Sequence, residues 1–276
     1  MAPATRHFPM RVLFIGDIAG SPGRQIVRDR LADLVSQRQI DLVIANGENA
    51  ASGFGITPRL AQELLGLGIE VLTGGNHSWD RKEILEFMPH EPRLLRPANF
   101  PEGNPGCGLF TGTAKNGVKY TVINLQGRVF LPAIDDPFRK ADELLKNLPA
   151  DMDFVLVDMH AETTSEKIAL GWYLDGRVTA VVGTHTHVTT ADERVLPEGT
   201  AYITDVGMTG PHDGVIGMER RGIIKKFLDG LPARFDVAQG DVQMNAVLIE
   251  TGDEGARNAA GLLRAKTIER LRLRID

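Results

Sequence analysis

The chain has a single cysteine, Cys107, among 276 residues. No internal disulfide can form, which favours a reducing compartment, and no cysteine-rich structural zinc site can be assembled. Cys107 sits in a Gly/Pro-rich stretch with no histidine close by in sequence, so a reactive thiol is not expected there. Long apolar runs are also missing. None approaches the roughly 18 residues that a membrane span needs, and residues 1–9 lack the hydrophobic stretch of a signal peptide. Those nine residues are expected to be a flexible N-terminal extension. Nor is positive charge in excess: 31 Lys and Arg stand against 36 Asp and Glu, for a net charge of -5. A protein whose main partner is a nucleic-acid backbone usually carries a basic face. A strong nucleic-acid surface is therefore not expected, whereas a small phosphate ligand held by cations remains compatible with this charge. The expectation is a cytoplasmic protein with no membrane partner, and a homo-oligomer by the general frequency of symmetric assemblies.

Apolar residues make up 42% and charged residues 24% of the chain, the composition of an ordinary globular enzyme with enough length for one large core. Short apolar runs alternate with amphipathic segments. Strands are expected at Val12–Ile15, Leu42–Ala45 and Ile69–Leu72. Between them, helices are expected from Pro22 to Arg38, where Ile26, Val27, Leu31, Leu34 and Val35 recur at helical spacing, and from Thr57-Pro58 to Leu65. A short helix follows from Arg81 to Phe87. Residues 93–117, rich in Pro and Gly, read as a long loop. Further strands are expected at Tyr120–Leu125, Phe154–Val157, Val178–Val182 and Gln243–Ile249, with a helix from Pro137 to Leu148. Leu271, Leu273 and Ile275 alternate with charges, the pattern of a last strand. This alternation implies a layered α/β fold with parallel pairing at the sheet centre. No repeat or linker divides the chain, so residues 10–276 are expected to form one domain.

Five strand ends share a feature. Each apolar run stops near Gly, Asp or Asn, and a potential metal ligand follows: Asp17, then Glu48-Asn49, Asn76-His77, His160, and His185 with His187. In α/β sheets, ligands bind outside the carboxyl ends of strands, where side chains distant in sequence converge. Imidazole with carboxylate suits zinc, iron or manganese. A bridging carboxylate can hold two cations roughly 3.5–4 Å apart, the spacing used in two-metal phosphoryl chemistry. In an extended strand His185 and His187 would point to opposite faces, so a loop conformation must turn both inward.

Taken in order, Gly16-Asp17, Asn46-Gly47-Glu48-Asn49, Gly75-Asn76-His77, His160 and Gly183-Thr184-His185-Thr186-His187 resemble the calcineurin-like metallophosphoesterases. Longer stretches resemble the bacterial YmdB-like branch of that superfamily. They are Phe14–Ile18, Gly75–Asp80, Arg96–Asn99, His160–Lys167 and Gly199–Met208. The sequence departs from the general superfamily pattern where Ile18-Ala19 follows Asp17 without a histidine, and where Glu48 stands at the usual bridging aspartate; both departures fit the branch.

The resemblance implies a four-layer α/β/β/α sandwich of mixed sheets with its metal site at the C-terminal ends of the strands. It implies two metal ions, iron foremost, with manganese or zinc as alternatives. Asp17, Glu48, Asn49 and His187 would hold one ion, the Asn49 amide oxygen replacing the missing imidazole. Glu48 would bridge to a second ion held by Asn76, His160 and His185. The implied substrate is a small phosphodiester such as a 2′,3′-cyclic nucleotide, attacked by a metal-bridging hydroxide while His77 protonates the leaving oxygen. Trp79, Ser165 and His212 are candidate substrate contacts, and Asp158 and Asp205 candidate supports behind the ligands. For Trp79 the alternative is an aromatic packed at the pocket edge, and for Ser165-Glu166-Lys167 a solvated helix start. Two other functions stay open at this level: a phosphomonoesterase or protein phosphatase with the same metals, and a regulatory metal-binding protein acting through partners or RNA.

Overall fold

The computed structural model describes residues 9–274; residues 1–8, which make up most of the expected extension and include His7, and Ile275 of the last expected strand lie outside the described residues. The chain opens with β1 (Arg11–Ile15), β2 (Asp17–Ile18), α1 (Gly20–Arg38), β3 (Leu42–Asn46), α2 (Pro58–Gly66), β4 (Val71–Thr73) and α3 (Ile84–Phe87). There follow β5 (Leu109–Thr113), β6 (Lys119–Gln126), α4 (Pro137–Lys146), β7 (Phe154–His160), α5 (Thr164–Leu174) and β8 (Ala180–Thr184). The last third holds β9 (Arg194–Val195), β10 (Ala201–Ile203), β11 (Met208–Pro211), α6 (Arg220–Asp229), β12 (Val242–Thr251) and β13 (Ala265–Arg274).

Local chemistry sets these boundaries. The Thr57 hydroxyl accepts the Leu60 N–H, and Pro58 stands at the first position of α2, where its missing donor costs nothing. Asp136 caps α4 through the N–H groups of Phe138 and Arg139, again with proline next in line. α1 buries Ile26, Val27, Leu31 and Leu34 on one stripe, as their spacing requires.

Two mixed sheets result. The first runs β2-β11-β12-β1-β3-β4, with β13 also on β12; the second runs β5-β6-β7-β8-β10-β9. β1, β3 and β4 are mutually parallel, as are β6, β7, β8 and β10, while β12 returns antiparallel to β1. The period-two alternation of strands then builds four layers. Val12, Phe14, Leu42 and Ile44 face inward to meet Val122, Phe154, Leu156 and Val182 of the second sheet. Their sequence neighbours Leu13, Ile15, Val43 and Ala45 point the other way, under α1 and α2. On the far side, Ile123, Val155, Val157 and Val181 pack beneath Ala141 of α4 and Leu170 and Leu174 of α5. The order is helix, sheet, sheet, helix, the sandwich that the resemblance implies.

Several elements depart from expectation. β5 lies inside the stretch expected to be loop; its five residues, Leu-Phe-Thr-Gly-Thr, are partly exposed and pair only with β6, so no buried apolar run marks it. Lys167 is not solvated. It is buried in the first turn of α5 and donates to Asp205 Oδ2 at 2.6 Å, both side chains being 1% exposed. Removing one partner of such a pair leaves an uncompensated charge in the interior. Lys167→Met is therefore expected to destabilise the chain by about 3–5 kcal/mol, read by chemical denaturation. A loss under about 1 kcal/mol would show that the pair is not holding α5 to the sheet.

Candidate metal centre

Both sheets present their strand ends to one place. From the first sheet come Asp17 on β2, Glu48 and Asn49 just after β3, and Asn76 just after β4; from the second come His160, the last residue of β7, and His185 and His187 after β8. The loop conformation that must turn both last histidines inward is present: His185 has φ of 102° and His187 of 65°, left-handed values that side-chain-bearing residues rarely adopt. Asp205 secures this strained turn by accepting the Thr186 N–H at 3.1 Å and its hydroxyl at 2.8 Å. Gly75 is required for a different reason: a Cβ there would overlap His160 Nε2 and Glu48 Oε2.

The side chains form two adjoining groups. In one, His160 Nε2 lies 3.1 Å from Glu48 Oε1, 2.9 Å from Asn76 Oδ1 and 3.0 Å from His185 Nδ1. In the other, His187 Nε2 lies 3.0 Å from the Asn49 amide and 3.9 Å from Asp17 Oδ1. Glu48 stands between them. Its Oε1 is also 3.3 Å from the Asn49 amide nitrogen, and its Oε2 accepts the His77 N–H at 3.1 Å. Rotating the Asn49 amide by half a turn would place its oxygen at this point.

Three observations fit the group to metal ions. First, Asp17 Oδ1 is buried and has no hydrogen-bond partner, although its mate Oδ2 accepts the His185 N–H at 3.3 Å. A buried carboxylate oxygen left bare calls for a cation. Second, every imidazole is held by its outer nitrogen with the other turned inward, the arrangement of metal-bound histidines. His160 Nδ1 meets the Thr184 hydroxyl at 2.9 Å, which donates to Asp158 Oδ1 at 2.7 Å; His185 Nε2 meets Glu162 Oε2 at 3.0 Å; His187 Nδ1 meets the Ile216 carbonyl at 3.0 Å. Third, ligand atoms of Glu48, His160 and His185 lie within 4.8 Å of one another.

The electrostatics favour the metal-binding state at two of the ligands, His185 and Glu48, and oppose it at Asp17 and His160. Burial and then the charge of His160 bring His185 down to about 3, so its ring is neutral. Burial opposes the ionisation of Glu48, but His160 and His77 outweigh it and hold the carboxyl at about 2. A neutral imidazole and an ionised carboxylate are the states that metal binding needs. Burial raises Asp17 against the pull of His187 and His160, and lifts Asp158 to about 7.

Above the group opens a cavity of about 440 Å³, a size suited to a small ligand. Glu48, Asn49, His77, His185 and His187 line its polar side. Phe54, Ile216, Ile223 and Phe235 line an apolar side that the sequence did not announce, because these residues are scattered over separate loops and α6. The i, i+4 pairs Ile223/Phe227 and Ile224/Leu228 were the legible signal for α6.

Three candidate contacts lie off the cavity wall. Trp79 packs against the helix-side core of the first sheet, edge-on to Phe100 at 4.8 Å between ring centroids. Ser165 is exposed in the first turn of α5. His212 is tied to the Gly210 carbonyl at 2.9 Å and the Asn245 amide at 3.2 Å. Glu162, next to His160-Ala161, does reach the wall, a placement that no pattern in the sequence announces.

A family model described as YmdB-like protein matches residues 13–262. The chain belongs to the YmdB-like family. Within it, the chain is 55% identical over 245 residues to a Bacillus subtilis (strain 168) protein named 2′,3′-cyclic-nucleotide 2′-phosphodiesterase, covering 89% of this chain and 92% of that one. A crystal structure of a hypothetical protein from Thermus thermophilus superposes with a TM-score of 0.87 at 42% identity, covering 97% of this chain and all (100%) of that one. A Mycoplasma pneumoniae structure, described as a novel phosphatase, superposes with a TM-score of 0.89 at 36% identity, covering 98% and 95%. Among the described residues no helix is long and apolar enough to cross a membrane.

Proposed function

We propose that this chain hydrolyses phosphodiesters, 2′,3′-cyclic nucleotides foremost, at a centre of two metal ions. The observation that carries the reading is the bare, buried Asp17 Oδ1 facing inward-turned imidazoles around a shared Glu48. The name of the Bacillus subtilis relative supports the substrate class. In this reading Asp17, Glu48, Asn49 and His187 hold one ion, and Glu48, Asn76, His160 and His185 the other. Iron is the expected metal, with manganese and zinc also compatible with these nitrogen and oxygen donors. Once bound, the ions supply positive charge against the phosphoryl oxygens and acidify water toward hydroxide near neutral pH.

The chain's own groups do the rest. Phe54, Ile216, Ile223 and Phe235 offer apolar contact to a base and keep water from the reacting ester. His77 stands on the same wall with its ring edge-on to Phe54, and its Nδ1 lies 2.7 Å from Asp80 Oδ2. With Nδ1–H donated to that carboxylate, Nε2 is the atom that carries the proton for the leaving oxygen. The His77 N–H on Glu48 Oε2 ties this donor to the ligand group. The free Cys107 supports a reducing, cytoplasmic setting. The shared inter-sheet core supports one domain over 10–276, and the homo-oligomer rests on general frequency alone.

Monoester hydrolysis is the second reading, favoured by the description of the Mycoplasma pneumoniae structure as a phosphatase. Protein purified without chelator is expected to hold about two metals per chain. It should turn over 2′,3′-cyclic AMP and bis(p-nitrophenyl) phosphate faster than p-nitrophenyl phosphate, and lose both activities with EDTA. Faster monoester turnover would move the assignment to the phosphatase. Metal-replete protein with no turnover on either diester would sink the phosphodiesterase.

A further inference from the structure

The loop that carries Glu48 and Asn49 continues through residues 50–55 and has a second face. Gly53 and Phe54 line the metal cavity, whereas Ala51 and Ser52 line a separate cavity of about 610 Å³; the two share no lining residue. Three guanidinium groups from three parts of the chain converge on this second cavity: Arg24 from α1, Arg59 from α2, and Arg81 from the segment after β4. Glu83 is the one carboxylate on its wall.

We propose that this cavity binds a small phosphate-bearing anion. Other arginines of this chain are matched to carboxylates, among them Arg38 with Glu269, Arg128 with Asp136 and Arg177 with Asp142. The three here are not. Arg81 donates only to backbone carbonyls, of Phe54 at 3.0 Å and Ala51 at 2.6 Å. Arg24 donates to the Ala50 carbonyl through Nη1, while its Nε is buried with no partner at all. Arg59 is exposed and has neither hydrogen bond nor ion pair among the described residues. Glu63, whose charge Arg24 feels, is held by Arg28. Like charges gathered around an open space repel one another until an anion enters. Planar guanidinium forks match phosphate oxygens in particular, and the volume accommodates a nucleotide-sized molecule. The first turn of α2 lines the cavity as well, and its positive end adds to the same preference. Because Arg24 and Arg81 also grip the carbonyls of residues 50, 51 and 54, an anion held there braces the loop that carries Glu48.

The test is an isothermal titration of metal-loaded protein with inorganic phosphate, run beside hydrolysis of bis(p-nitrophenyl) phosphate. Arg59→Glu reverses an exposed, unpaired charge outside the metal cavity, so it leaves folding intact and phosphate-free turnover within about twofold. Wild-type protein is expected to show two classes of phosphate site. Arg59→Glu should weaken one of them by about tenfold or more, and Arg59→Lys should keep part of it. An isotherm unchanged by Arg59→Glu, whether it shows one class or two, overturns the proposal. Repeating the titration with AMP separates the sources: tighter binding with the same Arg59 dependence assigns a nucleotide, and equal affinity assigns the phosphate group alone. The titration reads binding directly, so a failure of the hydrolysis assay leaves its result standing.

Discussion

Replacing Glu48 with glutamine is expected to lower phosphodiester hydrolysis on the order of 10³-fold and to strip metal from the chain. Position and charge both lead there. Glu48 Oε1 is the point both half-sites touch, 3.1 Å from His160 Nε2 and 3.3 Å from the Asn49 amide nitrogen. Its carboxyl is held low, at about 2, by His160 and His77 against the cost of burial, so it carries its charge near neutral pH. Glutamine keeps the shape but removes the only negative charge common to the two groups. It also confronts the His77 N–H, which now donates to Oε2, with either an oxygen or an amide NH₂. Losing a group behind a metal ligand already costs about 10–100-fold, so losing a shared ligand costs more. Metal analysis and kcat measured on one preparation check this. Full metal content with near-normal turnover would show that Glu48 is no bridge.

His77→Ala should behave differently. Metal content is expected to stay at the wild-type level, because the ring of His77 is held by Asp80 and Phe54 and the tie of His77 to Glu48 Oε2 is a backbone N–H that alanine keeps. Turnover of 2′,3′-cyclic AMP should fall by about 10²–10⁴-fold, the usual contribution of a positioned proton donor. The loss should be far smaller on bis(p-nitrophenyl) phosphate, whose nitrophenolate departs without a proton. That contrast separates proton donation from a structural role. An equal loss on both esters, or a loss of metal, would assign His77 to holding the loop.

The two substitutions probe residues that sequence order alone had brought together, and the reasons for this legibility are physical. Asp17, Glu48 and Asn76 end or closely follow strands of the first sheet, and His160 ends one of the second, all with unmistakable apolar runs, so parallel pairing within each sheet brings its ligands to one end of that sheet. Continuous apolar runs such as Val12–Ile15, with no polar residue at alternate positions, likewise foretold a sheet covered on both faces. What escaped was whatever lacks a local pattern. β9 and β10 span two and three residues, too few for a period to register. Lys167 reads as surface because lysine at a helix start almost always is; only Asp205, 38 residues on, makes its burial possible. The apolar wall of Phe54, Ile216, Ile223 and Phe235 is a product of loop geometry. Trp79 is the converse case: it lies close to His77 in sequence yet turns to Phe100 and the core.

Each sheet alone supplies an incomplete set of the proposed ligands. Asp17, Glu48, Asn49 and Asn76 ride on one, and the three imidazoles on the other. Between them lies a layer of Phe14, Ile44, Val122, Phe154 and Leu156 whose thickness sets how far apart the two halves stand. The apolar interior is therefore the gauge block of a caliper whose jaws close on the proposed metal centre. A side chain shaved from that layer, far from any ligand, would misalign the jaws before it unfolded the protein, and the chemistry would register the change ahead of the stability.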